Sequence, residues 1–200
     1  MLRIFQRVLA VGGCSRLVGK LGSGKIGSTT LLVAQSGGPT AVINASLAGV
    51  IEAARGSDQV GTILGTRHGV EGILAGEFVD LSGFDDDPLA RLRRTPRAAR
   101  GRSRHRQTDD ELERTLDTFH ELGITIFTPI GGNDTAETAL RLNARALARR
   151  QELRVVAIPK TIDNDLPEMD HCPGYGSIAR FIALSVRDAA FDTLAMQELY

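Results

Sequence analysis

Lys160, Thr161, Asp163 and Asp165 stand together in Pro159-Lys160-Thr161-Ile162-Asp163-Asn164-Asp165, a grouping suited to phosphoryl transfer. One carboxylate can accept a hydroxyl proton while the other helps hold a metal. An ammonium beside them offsets the charge that builds up on a transferring phosphoryl group. The chain draws nearly all its positive charge from arginine, and after Lys25 its only lysine is Lys160. A compact ammonium binds phosphate well as a point charge. The same residues could instead form a charged turn closed by a local ion pair.

Two glycine-rich turns have a related character. Gly131-Gly132-Asn133-Asp134 allows close backbone approach to an anion and adds an amide and a carboxylate. Such oxygens suit Mg²⁺, which binds through one or two carboxylates together with substrate phosphates. Asn and Asp are also favoured helix caps, so Asp134 has the alternative of capping a helix at Thr135. Gly37-Gly38, within Ser36-Gly37-Gly38-Pro39-Thr40, would let the N–H groups of a helix start point at a phosphate, or would form an ordinary tight turn. Gly19-Lys20-Leu21-Gly22-Ser23-Gly24-Lys25-Ile26 nearly repeats a Walker phosphate loop. It is set aside because Ile26 occupies the place where Ser or Thr must reach Mg²⁺.

These turns need elements to hold them. Leu31 to Gln35 reads as a strand, followed by a helix in which Val42, Ile43, Leu47, Val50 and Ile51 recur near the 3.6-residue period. Val60 to Leu64 reads as a second strand ended by Gly65. Thr108 with Glu111 is a capping-box signature opening a helix through Leu112, Leu116, Phe119 and His120, terminated by Gly123. Strands follow at Ile124 to Ile130 and Val155 to Ile158, with helices at Thr135 to Arg150 and Ser177 to Met196. Asp85 to Arg106 reads as a long polar loop or a short helix. Alternating strands and helices predict an α/β fold, a Rossmann-like three-layer sandwich around a mostly parallel sheet. Ligands in such sheets sit beyond the carboxyl ends of the strands, where all three special turns fall.

Composition narrows the classes. Two hundred residues with 42% apolar content suit one globular domain, and zero formal net charge gives no general attraction to nucleic acid or an anionic membrane. Charge is nonetheless uneven: no Asp or Glu precedes Glu52, and eight arginines lie between Arg91 and Arg106. That run suits a solvated surface or exposed loop. Cys14 and Cys172 are the only cysteines, which fits a reducing cytoplasm rather than a disulfide framework or a zinc cluster. No apolar stretch nears the roughly 20 residues that cross a bilayer. Residues 1–30 read as a poorly ordered extension, with an organelle transit peptide as the alternative.

From about Leu31 to Met196 the motifs, in order and spacing, resemble the phosphofructokinases, with Gln35 to Asn44 as a first phosphate loop of the diphosphate-dependent form. Gly131-Gly132-Asn133-Asp134 resembles the family's second loop and Pro159 to Asp165 its catalytic loop; Ser103-Arg104-His105 and Gly174-Tyr175-Gly176-Ser177 also stand where expected. The resemblance implies that Asp163 is the general base for the sugar's 1-hydroxyl, with Lys160 attracting the donor's or product's phosphate and Thr161 contacting the transferring phosphoryl group or the sugar. It implies donor binding by Gly37, Gly38, Arg104, Gly131, Gly132 and Asp134, and Mg²⁺ held by Asn133, Asp134 and Asp165. ATP-using members carry Gly at the places of Asp134 and Lys160, so diphosphate is the expected donor and ATP the alternative. The implied reaction is phosphoryl transfer to fructose 6-phosphate, giving fructose 1,6-bisphosphate in glycolysis. Family members are homo-oligomers. Asn133 stands where the family usually has Asp, and Arg102 replaces a small residue. Residues 31–200 are expected to be the donor-binding and catalytic domain, cut before the half that binds the sugar 6-phosphate. The isolated chain is therefore expected to be weakly active or inactive, with a phosphate-binding fragment as the alternative.

Overall fold

The computed structural model describes residues 29–96, 98–101, 103 and 105–196. The expectations for residues 1–28, and for Arg102 and Arg104, fall outside them. Among the described residues six strands form one sheet: β1 (Thr29–Gln35), β2 (Val60–Thr66), β3 (Phe78–Asp80), β4 (Ile124–Gly131), β5 (Arg154–Val155) and β6 (Ile158–Pro159). Their order is β3-β2-β1-β4-β5, with β6 also paired to β4; only the β2–β3 pair is antiparallel. Six helices among the described residues accompany them: α1 (Ile43–Arg55), α2 (Val70–Ala75), α3 (Asp86–Arg94), α4 (Asp109–Glu121), α5 (Asn133–Ala148) and α6 (Tyr175–Ala195).

The central strand explains the layering. Side chains alternate across a strand, so Leu31 and Val33 join the cluster with Ile43, Leu47 and Ile51 of α1 and Leu89 and Leu92 of α3. Leu32 and Ala34 point the other way, to Leu112, Leu116 and Phe119 of α4 and Leu142 and Ala146 of α5. A strand covered on both faces must be apolar throughout, as Leu31 to Ala34 is. Each such Leu or Ile contributes about 1.5–3 kcal/mol by leaving water.

Several boundaries differ from expectation for identifiable reasons. β1 begins at Thr29, because Thr29 pairs with Val60. Gly65 does not end β2; it admits Leu81, whose Cδ1 would lie 2.7 Å from any Cβ at that position. α2 and β3 follow, each too short to produce a period in the sequence. Asp85 to Arg106 contains a true helix, α3, with acidic Asp86 and Asp87 in its first turn and Arg91, Arg93 and Arg94 in its last. The expected strand Val155 to Ile158 is split between β5 and β6, and Val156 between them is 55% exposed. α5 starts at Asn133 rather than Thr135, and ends where Arg150 turns left-handed at φ 53°. α6 begins two residues early, and none of its residues is buried.

Candidate active site at the carboxyl edge of the sheet

β1, β4 and β6 run parallel, so the segments that follow them emerge at one edge. Residues 36–40, 132–135, 160–163 and Asp165 line a single cleft of about 790 Å³, joined by Ser103 and His105. The convergence required by the sequence motifs is therefore present.

The first turn is built around Gly37. Its φ of +70° favours glycine, and a Cβ there would lie 3.0 Å from Lys160 Nζ. Its N–H donates to Ser103 O at 3.2 Å, and Ser36 Oγ donates to the same carbonyl. The turn is thus laced to the arginine-rich segment. Beneath it, Gln35 and Asn44 are both fully buried and hydrogen-bonded to each other at 3.0 Å. Asn44 also donates to Thr95 O and accepts from Ala99 N, while Gln35 accepts from Arg100 N. These two amides anchor the backbone at Thr95, Ala99 and Arg100, a task not evident from the chain's linear order. Thr40 lines the cleft, and its buried hydroxyl has no hydrogen-bond partner among the described residues.

In the second turn, a Cβ at Gly131 would meet Thr135 Oγ1 at 2.0 Å, so only glycine fits. Gly132 is the N-cap of α5, which removes that role from Asp134. Asp134 lies in the first helical turn, where a carboxylate complements the helix dipole, and accepts from Arg106 Nη2 at 2.5 Å. Asn133 instead reaches across the cleft, its amide donating to Asp165 Oδ2 at 2.6 Å.

The third segment carries the acids. Lys160 is 2% exposed, and its ammonium donates to Gly38 O at 2.6 Å, tying the third segment to the first. It lines the cleft from within the wall, not as an exposed cation. Thr161 Oγ1 donates to Asp163 Oδ2 at 3.3 Å and accepts from Asp163 N at 3.1 Å. Both Asp163 and Asp165 remain exposed at the cleft. Asn164, left-handed at φ 56°, accepts from Cys172 N and donates to Asp170 O, bracing the loop from behind.

His105, named in the Ser103-Arg104-His105 motif without a role, and Arg106, read only as part of a solvated basic run, both make contacts at this edge. His105 lines the cleft, with Nε2 2.8 Å from Glu111 Oε2. That oxygen also accepts from Thr108 N, completing the capping box of α4. The Thr108 N–H, and then His105, hold the Glu111 carboxyl below its ordinary range.

Among the described residues, no group of three or more His, Cys, Asp or Glu side chains is placed to hold a metal. Mg²⁺ needs fewer, since phosphate oxygens and water complete its shell. Asn133 and Asp165 each carry a side-chain oxygen of the kind Mg²⁺ takes, although the contact between them is an amide N–H donating to the carboxylate; Asp134 is engaged by Arg106 instead.

Residues 30–199 match the family model described as phosphofructokinase. Over 169 residues, 82% of the chain, it is 42% identical to the pyrophosphate–fructose 6-phosphate 1-phosphotransferase of Methylococcus capsulatus, covering 40% of that protein. The Xanthomonas campestris protein of the same name is 43% identical over 173 residues, covering 84% of this chain and 41% of that one. The crystal structure of a pyrophosphate-dependent phosphofructokinase from Nitrosospira multiformis superposes with a TM-score of 0.80 at 41% identity, covering 84% of this chain and 42% of that one. The chain thus spans about two fifths of the length of these relatives.

Proposed function

This chain belongs to the phosphofructokinase family, and on that premise we propose that its cleft binds diphosphate for transfer to fructose 6-phosphate, a glycolytic step yielding fructose 1,6-bisphosphate. The observation that carries the proposal is the meeting of residues 36–40, 132–135, 160–163 and Asp165 around one cleft. In-line phosphoryl transfer asks a protein mainly to position the reactants and neutralise charge, and these segments supply both.

Asp163 is proposed as the base that accepts the proton of the sugar's 1-hydroxyl, oriented by Thr161 through their paired hydrogen bonds. Lys160 orders the donor turn through Gly38 O and adds positive charge behind the cleft wall. Gly37, Gly38 and Gly132 let the backbone come close to phosphate oxygens, and Thr40 offers a hydroxyl donor; Gly131 gives the second turn its close packing, and the family resemblance assigns Arg104 to clamping the donor. Asn133 and Asp165 would hold Mg²⁺, which when bound spreads the negative charge of the donor oxygens, while Asp134 is held at the rim by Arg106.

Side chains larger than glycine at 134 and 160 favour diphosphate over ATP, because a carboxylate at 134 narrows the space for a nucleotide's α-phosphate and repels it. The span of two fifths of its relatives' length supports a second reading of the isolated chain: donor binding with little turnover. Incubation with fructose 6-phosphate, Mg²⁺ and either donor, followed by bisphosphate measurement, tests both. Slow transfer from diphosphate, lost in Asp163→Ala, supports the first. Diphosphate-dependent stabilisation without turnover supports the second, and preference for ATP removes the donor assignment.

A further inference from the structure

The segment between Ser103 and α4 is held on both sides of Arg106. His105 N donates to Ser103 Oγ at 2.9 Å, and the His105 ring meets Glu111. Beyond Arg106, Gln107 is 3% exposed, donates to Thr115 Oγ1 at 2.8 Å and accepts at its carbonyl from Arg141. The backbone at 106 is therefore fixed, while its side chain reaches out into solvent: the Arg106 side chain is 72% exposed and that of its partner Asp134 is 63% exposed. Asp134 lines the cleft, so the guanidinium stands at the rim, within hydrogen-bond reach of a cleft wall. Glu137, one helical turn further along α5, adds a second, weaker attraction.

From this arrangement we infer that Arg106 is a further diphosphate-binding residue, and that Asp134 tunes affinity by competing for its guanidinium. An exposed ion pair is weak enough to be exchanged for a better partner. Diphosphate is that partner: it carries several negative charges, and either end offers oxygens that match the guanidinium fork. In a nucleoside triphosphate the phosphate next to the transferred one is bonded onward to a third, so it offers the guanidinium fewer terminal oxygens than the free end of diphosphate does. The pair then discriminates by drawing in free diphosphate. Asp134 on this view acts through Arg106 and not only by repelling a nucleotide.

Resting on the donor-cleft assignment, the claim is tested by calorimetric titration of inorganic diphosphate, with Mg²⁺, into the chain and its variants. Wild type should bind, Arg106→Gln should bind ~10-fold or more weakly, and Arg106→Lys should fall between them. Asp134→Asn should bind ~2–5-fold more tightly. The double variant should match Arg106→Gln, because Asp134 has nothing left to compete for. Unchanged affinity in Arg106→Gln overturns the inference while leaving the donor cleft intact. So does any further loss on adding Asp134→Asn to Arg106→Gln, since Asp134 would then contact the ligand or its metal directly. Absence of diphosphate binding in wild type sinks the donor-cleft assignment itself.

Discussion

At Gly131 the geometry leaves no freedom. A methyl group there overlaps Thr135 Oγ1, which is itself buried in the first turn of α5. Gly131→Ala should destabilise the chain by about 1–3 kcal/mol and lower diphosphate affinity, measured by urea unfolding and titration. Arg100 makes the converse case. Burial, then the neighbouring Arg67, lowers its guanidinium pKa to about 10, and its recorded compensation is stacking over Phe84 at 5.6 Å. Arg100→Met keeps the packing and removes the charge, so it should raise thermal stability by on the order of 1 kcal/mol, visible as a Tm increase of a few degrees. Individual site residues were legible in the sequence because their chemistry is unusual: a lone lysine beside paired acids, and glycines before helices. The partners of Lys160 and Asp134 were not, because Gly38 lies 122 residues from Lys160 and Arg106 lies 28 residues from Asp134. Nothing local in the chain specifies either pairing.

The elements that place these residues rely on local signals of varying strength. α4 was readable at its start, since Thr108 and Glu111 form both halves of a capping box. Thr108→Ala should cost about 1 kcal/mol and loosen His105, because Glu111 holds both; chemical unfolding and the His105 ring resonances would report it. α4 and α5 are further joined by Arg141 and Arg145 to Asp109, Arg145 to Glu113, and Arg149 to Glu113 and Asp117. Arg141, then Arg145, holds the Asp109 carboxyl below its ordinary range. Glu111 is lowered likewise, so both contribute stability above the unfolded carboxylate pKa of about 4. That contribution is lost as pH falls through their lower folded values. Tm should therefore drop as pH is taken below about 4, and high salt should weaken the dependence because these pairs are exposed. Short elements escaped the sequence reading for a plain reason: α2 has six residues and β3 three, fewer than two periods of a helix or a useful alternation of a strand.

Across the molecule, the two apolar layers around β1 were implied by its uninterrupted run of buried side chains, and the mostly parallel sheet by the alternation of elements. α6 was legible as a helix but not in its setting. Phe181, Ile182, Val186, Phe191 and Leu194 are each more than half exposed, and they lie around the helix and not along one stripe. A helix apolar on all sides ordinarily lies in a protein interior. Exposed surface of this kind drives association, so the isolated chain should self-associate at rising concentration in sedimentation experiments. Phe181→Asp with Phe191→Asp should return it toward monomer without loss of diphosphate binding, because neither residue lines the cleft. The most direct test of the whole account is a crystal structure of the chain grown with Mg²⁺ and diphosphate. The account predicts one diphosphate enclosed by Gly37-Gly38, Gly131-Gly132 and the Thr161–Asp165 segment at once. Diphosphate seated away from any of these three turns would contradict it.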